Sequence, residues 1–171
     1  MINGDQAKGF LQYFLGVIDN EFPATRKIIA AVPQSNLEWR PDPKARPALE
    51  LAWHIVTAEK WFTEGIINGG FDMSGNEPAA PKTINEIVQF YDKTHQDGIA
   101  QLKSLSGEQL AKPLPFFGMA ELPAVMFLNF LMLHSAHHRG QLSVYLRPMG
   151  GKVPSIYGGS ADEPFQMPAE A

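Results

Sequence analysis

The chain has 171 residues, of which 44% are hydrophobic, and a formal net charge of -4. This size and apolar content suffice for a buried core without covalent cross-links, so we expect residues 1–171 to form a single domain. The net negative charge gives no indication of a basic surface that would bind nucleic acid. The lack of cysteine excludes disulfides, thiolate metal ligands and a cysteine nucleophile.

The sequence shows no targeting or membrane segment. The first ten residues lack a basic region followed by an apolar run, so no signal peptide is expected. The most apolar run, residues 122–133, is interrupted by Asn129 and is too short to cross a bilayer. These features predict a cytoplasmic protein with no membrane contact.

Apolar residues spaced three and four apart predict a first helix over about residues 8–32. Pro23 lies inside it and removes one backbone hydrogen bond, which predicts a kink near residues 19–22 or two abutting helices. A stiff, proline-rich connection follows over residues 34–47.

The second helix is predicted over about residues 47–68, with Pro47 in its first turn and Gly69 at its end. Glu50 is interpreted as a first-turn acid facing the helix dipole, with orientation of a neighbouring imidazole as the alternative. One face of this helix is apolar apart from a histidine and consists of Leu51, His54, Ala58, Trp61 and Phe62.

A third helix is predicted over about residues 83–105, because Thr83 and Glu86 have the spacing of a capping box. His95 projects near the middle of its apolar face. Nothing on this helix pairs with it, so we interpret it as a pocket-lining residue rather than a ligand.

The fourth helix is predicted over about residues 123–146, after a loop at 106–121. The segment 148–171 is too rich in glycine and proline for a helix, and it is expected to form an extended tail over the bundle with disordered last residues. Four helices with one apolar face each predict an all-α fold, a four-helix bundle with long inter-helix connections. The spacing of apolar residues does not determine which of the possible bundle topologies the helices adopt.

The fourth helix carries the most informative motif. The stretch 131–145 reads LMLHSAHHRGQLSVY and places His134 and His138 four residues apart on the apolar face. Imidazoles at this spacing stand one helical turn apart and can converge on one ion at about 2.0–2.1 Å. The alternative is a pair of hydrogen-bonded core histidines, and the HxxxH spacing alone does not decide between them.

A third imidazole, His54 of the second helix, would complete a three-histidine face. Such a set leaves at least one coordination position open for water or substrate, as in catalytic rather than closed structural sites. The all-nitrogen donor set suits Zn²⁺ and Ni²⁺, with other divalent first-row ions as candidates. His137 points about 60° away from His134 and is interpreted as a helix-flank contact.

Three segments resemble the DinB family, within the DinB/YfiT-like superfamily of candidate metalloenzymes. They are WHIV at 53–56, NEFPATRKIIAAVP at 20–33 and LHSAHHRGQLSVYLRPMGGKVPSIYG at 133–158. The resemblance implies a four-helix bundle with a long crossover connection, a homodimer, and a divalent metal held by His54, His134 and His138.

Several relatives in that superfamily are thiol transferases or isomerases that use mycothiol, bacillithiol or glutathione. The resemblance therefore implies a metal that lowers the pKa of a thiol supplied from outside the chain. Two functions stay open: a metal-dependent transferase or hydrolase that activates a thiol or water, and a non-catalytic stress-response protein whose metal is structural.

Side chains one turn from the histidines are expected to line a mostly apolar pocket, with the tail around residues 153–157 as a candidate lid. The alternative is that these side chains simply fill the core. The predicted pocket-lining residues are Trp61, Tyr91, His95, Leu131 and Tyr145, with Ala58 beside them.

Overall fold

The structure is a computed structural model that describes residues 2–118 and 120–165. Over these residues the chain is mostly helical, with one small antiparallel sheet. The helices are α1 (Gly4–Ala30), α2 (Ala48–Asn68), α3 (Ile84–Ser104), α4 (Gly107–Ala111) and α5 (Phe127–Leu146), and the strands are β1 (Pro113–Phe116) and β2 (Ala120–Pro123). Short 3₁₀ turns occupy Gln34–Asn36 and Ala124–Met126.

Helix α1 begins earlier than predicted. The Asn3 side chain accepts a hydrogen bond from the Gln6 backbone N–H, and the Gln6 side chain caps the Asn3 backbone in return. The helix then continues through Pro23 as one element, so the predicted alternative of two abutting helices is wrong.

The ends of α2 and α3 follow the sequence signals. Gly69 ends α2 in the left-handed conformation with φ of 66°, which glycine adopts without a Cβ clash. The predicted capping box between Thr83 and Glu86 is present at the start of α3.

The segment between α3 and α5 is not the loop that we predicted. Ser106 and Gln109 form a capping box that opens the short helix α4, and β1 then pairs with β2, with Pro113 opposite Pro123. The prolines argued against a hairpin, because proline has no backbone N–H to donate to a neighbouring strand. In a two-stranded sheet, however, each strand has one free edge, where no donor is needed.

Among the described residues, the hydrophobic core consists of two clusters at opposite ends of the bundle. One joins the start of α2 (48–56) and the start of α3 (84–91) with the ends of α1 and α5 and the residues just after them (28–32 and 142–149). The other joins the opposite halves of the same four helices. Helices α1 and α5 therefore run in one direction and α2 and α3 in the other.

This arrangement fixes the topology that periodicity left open. Because α2 and α3 run in the same direction, residues 69–83 must return along the length of the bundle as a crossover connection. The long crossover implied by the resemblance is therefore present.

Between the two clusters lies a layer of buried polar side chains to which all four long helices contribute. Arg139 of α5 is 3% exposed and donates to the Thr25 hydroxyl and the Glu21 carboxylate of α1. Other members are Glu59 of α2, Tyr91 and His95 of α3, and Ser135 of α5.

The tail packs against the bundle as predicted. Val153 and Ile156 contact the cluster at the end of α5, and the Tyr157 hydroxyl contacts Arg139 and Glu21. The end of the tail, for which we predict disorder, includes residues 166–171, which lie outside the described residues. In the described ranges, no helix combines the length and hydropathy that a bilayer crossing requires.

Candidate metal centre

Helices α2 and α5 bring the three predicted histidines together. The two helices pack side by side in opposite directions, which places His54, near the start of α2, opposite His134 and His138 in the middle of α5. The ring centroids are 4.9, 4.8 and 4.3 Å apart for the pairs His54–His134, His54–His138 and His134–His138. One nitrogen from each ring lies within 4.8 Å of the other two.

One nitrogen pair already has a separation suited to ligands of one ion. The Nε2 atoms of His54 and His134 are 3.1 Å apart. Two nitrogens bonded to one ion at about 2.0–2.1 Å in tetrahedral or octahedral geometry lie about 2.9–3.4 Å from each other. The donor set and this spacing fit a divalent ion.

The environment keeps these imidazoles neutral. Burial lowers the pKa of His134 to about 4, with the neighbouring histidines adding to the effect. Burial is also the main cause of the lowered pKa values of His54 and His138, and the positive charge of Arg46 lowers both further. Neutral imidazole carries the lone pair that a metal ion requires.

Two side chains that the sequence analysis did not identify face the outer nitrogens of these rings. Gln141 Oε1 lies 3.0 Å from His138 Nδ1, so Nδ1–H donates and Nε2 keeps the lone pair. Glu77 Oε1 lies 3.9 Å from His54 Nδ1. His134 Nδ1 is buried without a hydrogen-bond partner among the described residues, and Phe62 contacts this ring edge-on.

The spacing of Gln141 from His138, three residues along one helix, is a signal that could have revealed it. No comparable signal exists for Glu77, which lies in a loop. His137 is exposed and outside the group, and Glu50 is an exposed acid in the first turn of α2.

The predicted pocket-lining residues lie in different parts of the bundle. Tyr91 and Leu131 line a small cavity of about 10 Å³, room for about one water molecule, beside Glu59. His95 Nδ1 lies 2.7 Å from Glu59 Oε1. The cavity therefore belongs to the buried polar layer.

The other two aromatic residues lie elsewhere. Trp61 is half-buried, and its indole N–H donates to the Asp72 carbonyl in the crossover connection. Tyr145 is 2% exposed, packs against Trp39, and has no partner for its hydroxyl among the described residues. Ala58 is partly buried on α2.

Comparison with known proteins gives consistent matches along the chain. A family model described as the DinB superfamily matches residues 19–142. The uncharacterized protein YrdA of Bacillus subtilis (strain 168) is 30% identical over 166 residues, which cover 94% of this chain and 96% of YrdA. The uncharacterized protein YjoA of the same organism is 28% identical over 131 residues, or 74% of this chain and 82% of YjoA.

Solved structures show the same fold. A DinB-like protein from Bacillus cereus ATCC 10987 is 28% identical and superposes with a TM-score of 0.72, over 84% of this chain and 95% of that one. The DinB-like YjoA structure from Bacillus subtilis superposes with a TM-score of 0.67 at 23% identity, over 86% and 97% of the two chains. The second match supports the fold alone.

Proposed function

The chain belongs to the DinB superfamily, and from that premise and its three-histidine group we propose that it binds one divalent metal ion through His54, His134 and His138. The convergence of three neutral imidazoles at the junction of α2 and α5 is the observation that carries this proposal. Zn²⁺ and Ni²⁺ suit the all-nitrogen donor set best.

The finer proposal is an enzyme, a transferase or hydrolase that acts on a small-molecule substrate. A divalent ion supplies Lewis acidity, which lowers the pKa of a water molecule or thiol that reaches it. Three protein ligands leave a coordination position for such a molecule. The positive charge of Arg46, close enough to lower the pKa values of His54 and His138, favours an anionic ligand such as a thiolate.

A structural role for the metal is the second candidate. His134 and His138 lie on α5 between the two hydrophobic clusters, and His54 lies on the neighbouring helix. An ion held there would join α2 and α5 where apolar packing between the clusters is interrupted. In that case the metal would raise stability without any turnover.

The experiment that tests the proposal uses protein purified without an affinity tag. Calorimetric titration with Zn²⁺ and Ni²⁺ is expected to show one site per chain, and the melting temperature should rise with free metal because the ion binds the folded state. Loaded and metal-free protein are then assayed with low-molecular-weight thiols and a chromogenic electrophile. Turnover only in the loaded protein supports the enzyme, and stabilisation without turnover supports the structural role.

The substitution His137→Ala is the matched control for this titration. It removes an imidazole from the same helix turn but not from the group, so one site of unchanged affinity is expected. Absence of binding at millimolar metal in the wild type would refute the proposed function.

We further propose a homodimer formed along helix faces. Exposed apolar side chains on α1 and α5 support it, among them Tyr13, Leu133 and Val144 at 65%, 60% and 72% exposure. Sedimentation at micromolar concentration should give about twice the chain mass of 18.9 kDa. The substitution Leu133→Lys should shift the protein toward the chain mass, and a wild-type mass of one chain would refute the dimer.

A further inference from the structure

The crossover connection retraces helix α2 toward the metal centre. Three donors on one face of α2, each one turn from the next, hold it there. The Trp61 indole N–H donates to the Asp72 carbonyl at 2.7 Å, and the Trp53 indole N–H donates to the Pro78 carbonyl at 2.6 Å. Between them, the Thr57 hydroxyl donates to Glu77 Oε1 at 2.7 Å.

These contacts place the Glu77 carboxylate over the outer side of His54. The backbone next to Glu77 is fixed by the bond to Pro78, and its side chain is fixed by Thr57. Although 37% of the Glu77 side chain is exposed, hydrogen bonds therefore hold both the adjacent backbone and the carboxylate against α2.

The nitrogen of His54 that faces Glu77 is the one that faces away from the other histidines. His54 Nε2 is directed at His134 Nε2, 3.1 Å away, and Nδ1 lies 3.9 Å from Glu77 Oε1. Among the described residues, Nδ1 makes no hydrogen bond. A shift of about 1 Å by the Glu77 side chain would bring its oxygen within hydrogen-bond distance of Nδ1.

We infer that Glu77 is a positioning residue of the metal centre, which holds His54 as the tautomer protonated at Nδ1 so that Nε2 is free for the ion. The inference rests on the proposed metal site and adds a residue that is not a ligand. A carboxylate that accepts from the outer N–H of a histidine fixes the ring and makes the inner nitrogen more basic. Thr57 acts through Glu77, since the shortest contact of its hydroxyl is the 2.7 Å bond to that carboxylate, whereas the Trp53 and His54 carbonyls lie at 3.0 and 3.4 Å.

A consequence is that metal binding and closure of the crossover connection are coupled. An ion on His54 Nε2 favours the Nδ1–H tautomer, which favours the approach of Glu77, and by linkage the approach of Glu77 favours the ion. Amide hydrogen exchange of residues 70–82 should therefore slow when metal binds.

The test compares metal affinities of the wild type, Glu77→Ala, Glu77→Gln and the control Glu64→Gln. Glu64 lies on α2, is exposed and pairs with Lys60. Glu77→Ala should weaken binding about 10–100-fold. Glu77→Gln keeps an acceptor oxygen, so its metal affinity should fall less than that of Glu77→Ala. Glu64→Gln should bind metal with the affinity of the wild type.

Two further measurements separate positioning from a general structural effect. Thr57→Val should weaken binding by less than Glu77→Ala does, and the double variant should bind no more weakly than Glu77→Ala alone, because Thr57 acts through Glu77. Metal should slow exchange of residues 70–82 in the wild type but not in Glu77→Ala.

The outcomes distinguish this inference from the proposed function. A wild type without metal binding refutes both. A wild type that binds metal together with a Glu77→Ala variant of equal affinity refutes only the role of Glu77, and additive losses in the double variant refute the role given to Thr57.

Discussion

Substituting alanine for His134 is expected to weaken binding of Zn²⁺ about 100- to 1,000-fold. Four-ligand zinc sites bind with about 10–16 kcal/mol, or about 2.5–4 kcal/mol per ligand, and each 1.4 kcal/mol is a factor of ten in affinity. His134 Nε2 lies 3.1 Å from His54 Nε2, and its loss leaves two imidazoles, His54 and His138, on different helices. Calorimetric titration of the variant measures the loss.

The fold of the His134→Ala variant should remain intact. The ring is only partly buried, and its Nδ1 has no partner among the described residues, so its removal breaks no internal hydrogen bond at that atom. Circular dichroism should show unchanged helix content, and His138→Ala should lose metal affinity to a similar extent. Wild-type affinity in either variant would contradict the three-histidine site.

The histidine group could be predicted because its signal is local to the helices. His134 and His138 share a face by their spacing, and His54 interrupts an apolar stripe, so each had to point inward wherever the helix was placed. That α2 and α5 face each other did not follow from periodicity. The resemblance to a family supplied it, and the topology in the structure explains it.

The residues that support the group could not be predicted in the same way. Glu77 reaches His54 only because α2 and α3 run in the same direction and force the connection back along α2. Glu59 gave no signal either, since its partners Tyr91 and His95 lie on another helix. Contacts between elements distant in sequence depend on topology, which hydrophobic patterning leaves open.

The hairpin was missed for a different reason. Its strands contain Pro113, Pro115 and Pro123, residues that argue against a central strand. A ladder of only two strands in a mostly helical chain tolerates them. The rule that proline is excluded from central strands, which applies to larger sheets, therefore led to the prediction of a loop in this segment.

The buried polar layer leads to the prediction with the largest expected effect on stability. Glu59 is the acceptor at its centre, with the Tyr91 hydroxyl at 2.7 Å from Oε2 and His95 Nδ1 at 2.7 Å from Oε1. The side chains of Glu59 and His95 are 9% and 10% exposed, and burial beside Glu59 raises the pKa of Tyr91 well above its usual range, so Tyr91 stays a donor. Removing the acceptor would leave two buried polar groups without a partner.

We expect Glu59→Leu to lower the free energy of unfolding by about 3–5 kcal/mol. Each buried hydrogen bond to a charged group contributes about 1.5–3 kcal/mol, and the Tyr91 hydroxyl and His95 Nδ1 would remain buried after losing their acceptor. Urea denaturation followed by circular dichroism measures the change. The same substitution at Glu64, which is exposed on α2 and pairs with Lys60, should cost less than about 1 kcal/mol. Adding Tyr91→Phe to Glu59→Leu should cost less than Tyr91→Phe alone, because its hydroxyl has already lost its acceptor. Equal losses at Glu59 and Glu64 would show that the buried layer contributes no more to stability than a surface ion pair.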